Sequence, residues 1–156
     1  MDLYKVVLFG HRDITAHKKI EAALWKIFEK LLSSKSFIDI YIGRNGEFDV
    51  FAASVLKRIQ KHFGNERISM TLVLPYTVKD ISYYEDYYDA VFIPDFITKT
   101  HPKGAIRARN LWMVRQCDLL ICYVDNDYGG AHAALKHAEK LKKSIINLSK
   151  TNFFEP

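Results

Sequence analysis

Residues 3–13 of the 156-residue chain read LYKVVLFGHRD, an apolar run of strand length that ends in a polar turn beginning with glycine. The segment that follows, Thr15 to Leu32, places its apolar residues at helical spacing. This order is typical of a β-strand, a tight turn and an amphipathic α-helix. Because the unit recurs along the chain, it sets the fold class.

The same order returns in the rest of the sequence. Phe37 to Ile42 is a second apolar strand, and it precedes a glycine-rich turn and a helix from Glu47 to Phe63. Further on, the sequence predicts strands at 68–74, 90–93, 118–124 and 144–148, a short helix and a long exposed loop before 103, and helices at 105–116 and 129–142. Such alternation predicts one Rossmann-like three-layer αβα domain over residues 1–156, with a mainly parallel sheet of about five to six strands.

Composition narrows the classes of function. The chain has 49% hydrophobic residues, yet no apolar run approaches the roughly 20 residues of a membrane span, and the first residues lack the pattern of a signal peptide. We therefore expect a cytoplasmic protein that does not insert into a membrane. The net charge of +5 admits an anionic ligand, but the basic residues are spread over helix faces, so nucleic acid is possible without being indicated.

In open α/β sheets, ligands bind beyond the carboxyl ends of the strands, so the strand-to-helix turns are the places to search. Three such turns open helices, whose unpaired N–H groups and dipole favour an anion. Glycine in these turns allows a ligand to approach the backbone, although many turns contain glycine without binding anything. The candidate ligand-binding residues of the turns are Gly10, His11, Arg12, Gly43, Arg44, Gly46, Tyr76, Gly129, Gly130 and His132.

The helix at 105–116 contributes a second set of candidates. Arg107 and Arg109 lie about 200° apart on a helical wheel, so at most one of them faces a pocket. Arg109 shares its face with apolar residues and is expected to point inward, with Asn110 beside it. The alternative is that Arg107 forms a surface ion pair and that the stem of Arg109 covers apolar surface.

Two carboxylates, Glu47 and Asp49, follow the second turn. They can cap the helix and complement its dipole, or one of them can hold ribose hydroxyls or act as general base or nucleophile at an anomeric carbon. The histidine spacing predicts no metal site, and no motif predicts a cofactor. Cys117 and Cys122 flank the strand at 118–124 at an odd separation, which predicts two reduced, buried thiols on opposite faces of the sheet.

Several short motifs follow one another from about residue 3 to 148. They read GHR at 10–12, IGRNGEFD at 42–49, VLPY at 73–76, RARNLWMV at 107–114, CDLLICYV at 117–124 and GGA at 129–131. In this order they resemble the YpsA-like bacterial proteins of the SLOG superfamily, which groups the Smf/DprA proteins with the LOG ("Lonely Guy") enzymes. The resemblance implies a Rossmann-like fold, a nucleotide-derived ligand and, as in many relatives, a dimer.

The LOG enzymes hydrolyse the N-glycosidic bond of a nucleoside 5'-monophosphate with an Arg-Lys-x-x-Met helix and a Pro-Gly-Gly-x-Gly-Thr-x-x-Glu turn. Arg109 and Met113 match the helix, which adds Met113 to the candidate ligand-binding residues, and Gly129 and Gly130 match the glycine pair. The remaining positions of the turn depart from the pattern at Tyr128, His132, Ala133 and Lys136. Since Lys136 replaces the glutamate, the LOG reaction does not carry over unless Glu47 or Asp49 supplies the carboxylate.

Three hypotheses follow. The first is a nucleotide-binding sensor, in which Arg12, Arg44 and Arg109 meet phosphate and Glu47 or Asp49 holds ribose. The second is an N-glycosidase or deoxyribosyltransferase-like enzyme with Glu47 or Asp49 as the reacting carboxylate and Arg109 as electrostatic support. The third is a DNA-processing accessory role, in which the basic helices matter more than the pocket.

Overall fold

The computed structural model describes residues 3–150 as a single sheet with helices on both faces. The predicted bounds of the second strand, the second long helix and the helix at 105–116 agree with the structure residue for residue, and 3-10 turns at Asp95–Lys99 and Pro102–Gly104 lie in the predicted loop. The strands are β1 (Leu3–Gly10), β2 (Phe37–Ile42), β3 (Ile68–Val73), β4 (Ala90–Phe92), β5 (Leu119–Tyr123) and β6 (Ser144–Asn147), and the helices are α1 (His17–Leu32), α2 (Glu47–Phe63), α3 (Ile81–Tyr87), α4 (Ala105–Gln116) and α5 (Gly130–Lys140).

The sheet has six strands in the order β4-β3-β2-β1-β5-β6, and every pairing is parallel. The chain starts at β1, moves outward to β4 and then returns to the other side of β1. Gly10 at the end of β1 pairs with Tyr123 at the end of β5. The order of the strands therefore reverses between β1 and β5, and a ligand is expected beyond their carboxyl ends.

Alternating side chains of the strands build two separate apolar layers. Val6 and Leu8 of β1 face α1 and α2, whereas Val7 and Phe9 face α4 and α5. Both faces of the central strand are thus covered, which explains its continuous apolar sequence. No helix within residues 3–150 is both long and apolar enough to cross a membrane.

Helix α2 shows how the sequence sets a helix and its limits. Its buried stripe includes Phe48, Ala52, Val55 and Ile59, at the three- and four-residue spacing that one helical face requires. Gly64 follows with a φ of 103°, a conformation that ends the helix and that glycine adopts without strain.

Both cysteines are free and buried, as predicted. Burial raises the pKa of the Cys117 thiol to about 11 and that of Cys122 to about 12, so both stay protonated at neutral pH. The prediction that they lie on opposite faces was wrong, because both pack in the layer that contains α4 and α5. Cys117 ends α4 and precedes the strand, where the alternation of a strand does not apply.

Candidate functional site

A cleft of about 480 Å³ opens beyond the ends of β1 and β5. Its walls come from the turns after β1, β2 and β5, from the first turns of α2 and α5 and from the first two turns of α4. The cleft therefore lies where the reversal of strand order places a binding site. It brings together the candidates Gly10, His11, Arg12, Gly43, Gly46, Asp49, Arg109, Asn110, Gly129 and Gly130.

Arg109 is the charged residue that organises the cleft. Only 2% of it is exposed, which confirms that it points inward, and Arg107 on the same helix is exposed. Its Nη1 donates to the carbonyl oxygen of Val73 (2.8 Å), its Nε donates to Oδ1 of Asn110 (2.8 Å), and its Nη2 donates to Oδ1 of Asn45. These bonds fix the guanidinium at the floor of the cleft. Its partners lie in β3, in the turn after β2 and in α4 itself.

Asp49 lies in the first turn of α2 and lines the same cleft. Its Oδ2 accepts a hydrogen bond from the backbone N–H of Asn45 (3.0 Å). Burial raises the pKa of Asp49 to about 6, and the Asn45 N–H and the charge of Arg109 limit that rise. In the other direction, burial lowers the pKa of Arg109 and Asp49 opposes that change. The carboxylate both accepts a bond from the turn before α2 and lines the cleft. A structural role at the helix start and a role toward a ligand are therefore compatible for Asp49.

Two turn glycines are required by close packing. A Cβ on Gly10 would lie 2.0 Å from the ring of buried Phe48, and a Cβ on Gly43 would lie 2.7 Å from Nη1 of Arg109. Both glycines therefore let other side chains into position. The role of Gly43 bears directly on the site, because a larger residue there would displace the guanidinium.

The helix starts at the cleft differ in what they offer an anion. At α2, the N–H groups of Glu47 and Phe48 donate to the carbonyl oxygens of Arg12 (2.7 Å) and His11 (3.4 Å). At α5, the N–H groups of Gly130 and Ala131 have no hydrogen-bond acceptor within residues 3–150, and both residues line the cleft. Helix α1 begins at His17, beyond the residues that line the cleft. Of the starts of α2 and α5, only that of α5 therefore offers the cleft backbone donors without an acceptor in residues 3–150.

The turns after β1 and β5 are tied to each other across the cleft. The backbone N–H of Asp125 donates to Nε2 of His11 (2.9 Å), and the Asp125 carboxylate oxygen Oδ1 lies 3.1 Å from the same nitrogen. Farther along the second turn, Oδ1 of Asn126 accepts from the N–H of Tyr128 (3.2 Å). These bonds hold the turn that leads into α5.

Several candidates lie outside the cleft. Glu47 bonds the N–H of Ile14 (2.9 Å) and Nε2 of His17 (2.9 Å) through its two carboxylate oxygens. Arg44 lies over the ring of Tyr84, with 5.3 Å between its guanidinium carbon and the ring centre, so its guanidinium packs on a side chain away from the cleft. The other residues away from the cleft lining are Tyr76, which is exposed, Met113, which is buried in the core, His132, and Lys136, which pairs with Glu139 (3.2 Å).

The cleft also contains residues that the sequence did not single out. Asn45 holds Arg109 and Asp49 in place, and Tyr128 lines the cleft with 71% of its surface exposed. Both lie in strand-to-helix turns, where the sequence predicts a ligand site. An asparagine between two turn glycines and an aromatic residue before a glycine pair were signals that could have identified them.

Comparison with known proteins identifies the fold. No protein-family model and no curated protein matches the chain. Among solved structures, DNA processing protein A (DprA) from Streptococcus pneumoniae superposes with a TM-score of 0.65 at 16% identity, over 92% of this chain and 49% of that protein. DprA from Helicobacter pylori superposes with a TM-score of 0.59 at 17% identity, over 91% of this chain and 63% of that protein. The structure of the H. pylori protein is described as showing a mode of single-stranded DNA binding.

The chain thus spans about half to two thirds of the length of these two proteins. At such low sequence identity, the similarity establishes a shared Rossmann-like fold.

Proposed function

We propose that the cleft binds a nucleotide or nucleotide-derived ligand through a phosphate group, and that the protein acts as a sensor of that ligand. The observation that carries this proposal is the position of two anion-binding elements in one cleft, the free N–H groups at the start of α5 and the buried guanidinium of Arg109. A helix N-terminus and an arginine both favour a phosphate. Arg12, which is exposed and lines the cleft, adds a further positive charge.

The remaining lining suits the rest of a nucleotide. The volume of about 480 Å³ falls within the range of small-molecule sites. Asp49 and Asn110 supply acceptors and donors for ribose hydroxyls, and the exposed ring of Tyr128 offers a surface on which a base can stack.

We also propose that the chain belongs to the SLOG superfamily and to its YpsA-like group, and that it is a cytoplasmic dimer. The superfamily rests on the motif order together with the fold shared with DprA. The YpsA-like group, the location and the dimer rest on the sequence and its resemblance alone.

A second candidate is the N-glycosidase or deoxyribosyltransferase-like reaction. Asp49 favours it, because this carboxylate lies in the cleft beside Arg109 and its pKa near 6 suits a group that exchanges protons at neutral pH. Of the two carboxylates in α2, the proposal takes Asp49, because both carboxylate oxygens of Glu47 are hydrogen-bonded outside the cleft.

A third candidate is the binding of single-stranded DNA. The similarity to DprA from H. pylori favours it. In this case one nucleotide of the strand would occupy the cleft, so the DNA and sensor candidates share the same phosphate and base contacts.

The experiment is a thermal-shift and product assay with nucleoside mono-, di- and triphosphates, NAD-type molecules and inorganic phosphate. A ligand at 100 times its Kd stabilises the folded state by about 2.7 kcal/mol, which raises the Tm of a domain this size by about 5–10 °C. We expect Arg109→Lys to remove most of this shift, because lysine cannot reproduce the planar set of donors. Arg115→Lys, an exposed position on the same helix, is the matched control.

The outcomes separate the candidates. Stabilisation without release of free base supports the sensor. Release of base that Asp49→Asn abolishes and Glu47→Gln leaves intact supports the enzyme. Salt-dependent binding of single-stranded DNA without a response to any mononucleotide would exclude the sensor and the enzyme together.

A further inference from the structure

A second groove runs between α4 and α5 and joins the cleft. The two depressions share the lining residues Ile106, Asn110, Gly129 and Gly130. The groove has a volume of about 550 Å³, and its far wall is formed by α5. A molecule bound in the cleft can therefore extend past the glycine pair into the groove.

All charged side chains that line the groove are basic. Lys103, Arg107 and Lys140 line it, all three are exposed, and none has a carboxylate within ion-pair distance in residues 3–150. Lys136 also lines the groove and pairs with Glu139 one turn away on α5. No aspartate or glutamate contributes to the lining itself. The groove consequently attracts an anion, because no carboxylate of residues 3–150 pairs with these three cations.

His137 gives a second, independent indication of a missing partner. It lines the groove, and its Nε2 is buried without a hydrogen-bond partner in the described part of the chain. Burial lowers the pKa of His137, and the charges of Arg115, Lys140 and Arg107 lower it further. A buried ring nitrogen without a partner is rare in native proteins, so the wall of the groove at His137 is incompletely satisfied within residues 3–150.

We propose that the groove between α4 and α5 binds a second phosphate group of the same molecule whose first phosphate binds in the cleft. This inference rests on the proposed function of the cleft and narrows its ligand class. The ligand would be a molecule with at least two phosphates, one on each side of the glycine pair, such as a dinucleotide or a short single strand. Both share the phosphate chemistry that the three unpaired cations recognise.

The test compares adenosine 5'-monophosphate with the dinucleotide pApA in the Arg107→Glu/Lys140→Glu variant. Both side chains are exposed, so we expect the Tm of the unliganded variant to stay within a few degrees of that of the wild type. The variant should bind the dinucleotide roughly tenfold more weakly, whereas its affinity for the monophosphate should change by less than about threefold. The salt dependence of dinucleotide binding should also fall, by about 0.7 in the slope of log K against log salt, because contact with one phosphate is lost.

The matched control is Lys30→Glu/Lys61→Glu, which changes the net charge equally at two exposed positions of α1 and α2. If the control weakens dinucleotide binding as much as the groove variant does, a general charge effect explains the result and the inference is overturned. Equal weakening of both ligands by the groove variant would overturn it as well.

Failure of this inference can be told apart from failure of the proposed function. Wild-type protein that binds the monophosphate but gains no affinity from the second phosphate refutes the groove alone. Wild-type protein that binds neither refutes the cleft and, with it, the groove. A longer oligodeoxyadenylate identifies the source: affinity that rises with length supports a nucleic acid strand, and affinity that levels off at two phosphates supports a dinucleotide.

Discussion

Asp49 is the residue of the cleft whose pKa predicts a dependence on pH. Its folded-state pKa of about 6 lies above the ordinary value of 3.8, so the folded protein holds this proton more tightly than the unfolded chain does. The corresponding stabilisation is complete below about pH 4 and is lost as the pH rises through 6. A phosphate bound nearby would favour the protonated carboxyl further, so nucleotide affinity should increase as the pH falls toward 6.

The first prediction concerns Asp49→Asn. At pH 8 we expect this change to stabilise the unliganded protein by about 1–3 kcal/mol, because it removes a buried charge and keeps an acceptor for the Asn45 N–H. Near pH 4 the gain should vanish. Urea denaturation at both pH values measures the difference.

Glu47→Gln is the control for this prediction. We expect it to change the stability at neutral pH in the opposite direction, as a loss. The Ile14 N–H and then His17 lower the pKa of Glu47, so its contribution to stability is present at neutral pH and is lost in acid. A gain in stability from Asp49→Asn that is the same at both pH values would show that the charge of Asp49 is not its cause.

The second prediction concerns Tyr128, which lines the cleft but is 71% exposed. Tyr128→Ala should leave the Tm almost unchanged and weaken nucleotide binding by about 1–3 kcal/mol, the contribution of one stacked base. Isothermal titration calorimetry measures the affinity. Tyr83→Ala, 61% exposed and outside the cleft, is the matched control, and equal affinity of the two variants would exclude stacking on Tyr128.

At the scale of elements, the start of α5 depends on the backbone of Gly129. This residue has φ 91° and ψ 173°, a region that glycine alone adopts readily, and no atom lies within 4 Å of the position of a Cβ. Its conformation is therefore the constraint, since space for a side chain is available. Gly130, one residue later, begins the helix, and a Cβ on it would lie 3.7 Å from Nδ2 of Asn110, the nearest atom.

The third prediction follows from this difference. Gly129→Ala should destabilise the protein by about 1–3 kcal/mol and reorient the free N–H groups that face the cleft, with loss of phosphate binding. Gly130→Ala should change the stability by less than about 1 kcal/mol, because alanine suits a helix and meets no close atom. Chemical denaturation of both variants checks the order, and a larger loss for Gly130→Ala would contradict this account of the turn.

The whole molecule consists of two apolar layers that share one sheet, and a tryptophan reports on each. Trp25 packs against the layer that contains α1 and α2, and Trp112 packs against the layer that contains α4 and α5. Because the central strands contribute side chains to both layers, we expect neither layer to stay folded when the other unfolds.

The fourth prediction is a single unfolding transition. The variants Trp25→Phe and Trp112→Phe each retain one tryptophan, and their fluorescence should follow the same transition as the circular dichroism of the same variant in urea. Separate midpoints for the two signals in either variant would show that the layers unfold independently and that the chain is not one domain. Sedimentation velocity on the wild type checks the expected dimer in parallel.

Most elements could be predicted because their signals are local. The stripe of α2 and the apolar run of β5 are set by residues a few positions apart, and Gly64 marks a helix end by its own conformational freedom. The side of the sheet on which Cys117 packs could not be predicted in this way, because a residue at the boundary between a helix and a strand follows the periodicity of neither.

The sequence by itself determined the alternation of strands and helices, the location of the cleft at the strand ends and the inward direction of Arg109, since each depends on chain order or helical period. Only the tertiary structure decided which turn residues meet. It placed Asp49 in the cleft and turned Glu47 toward His17, although the two lie two residues apart on one helix. It also left the N–H groups of Gly130 and Ala131 at the start of α5 without an acceptor in the described part of the chain, whereas those of Glu47 and Phe48 in α2 bond to the turn after β1. These positions depend on contacts between residues far apart in the chain, and a local sequence pattern cannot predict such contacts.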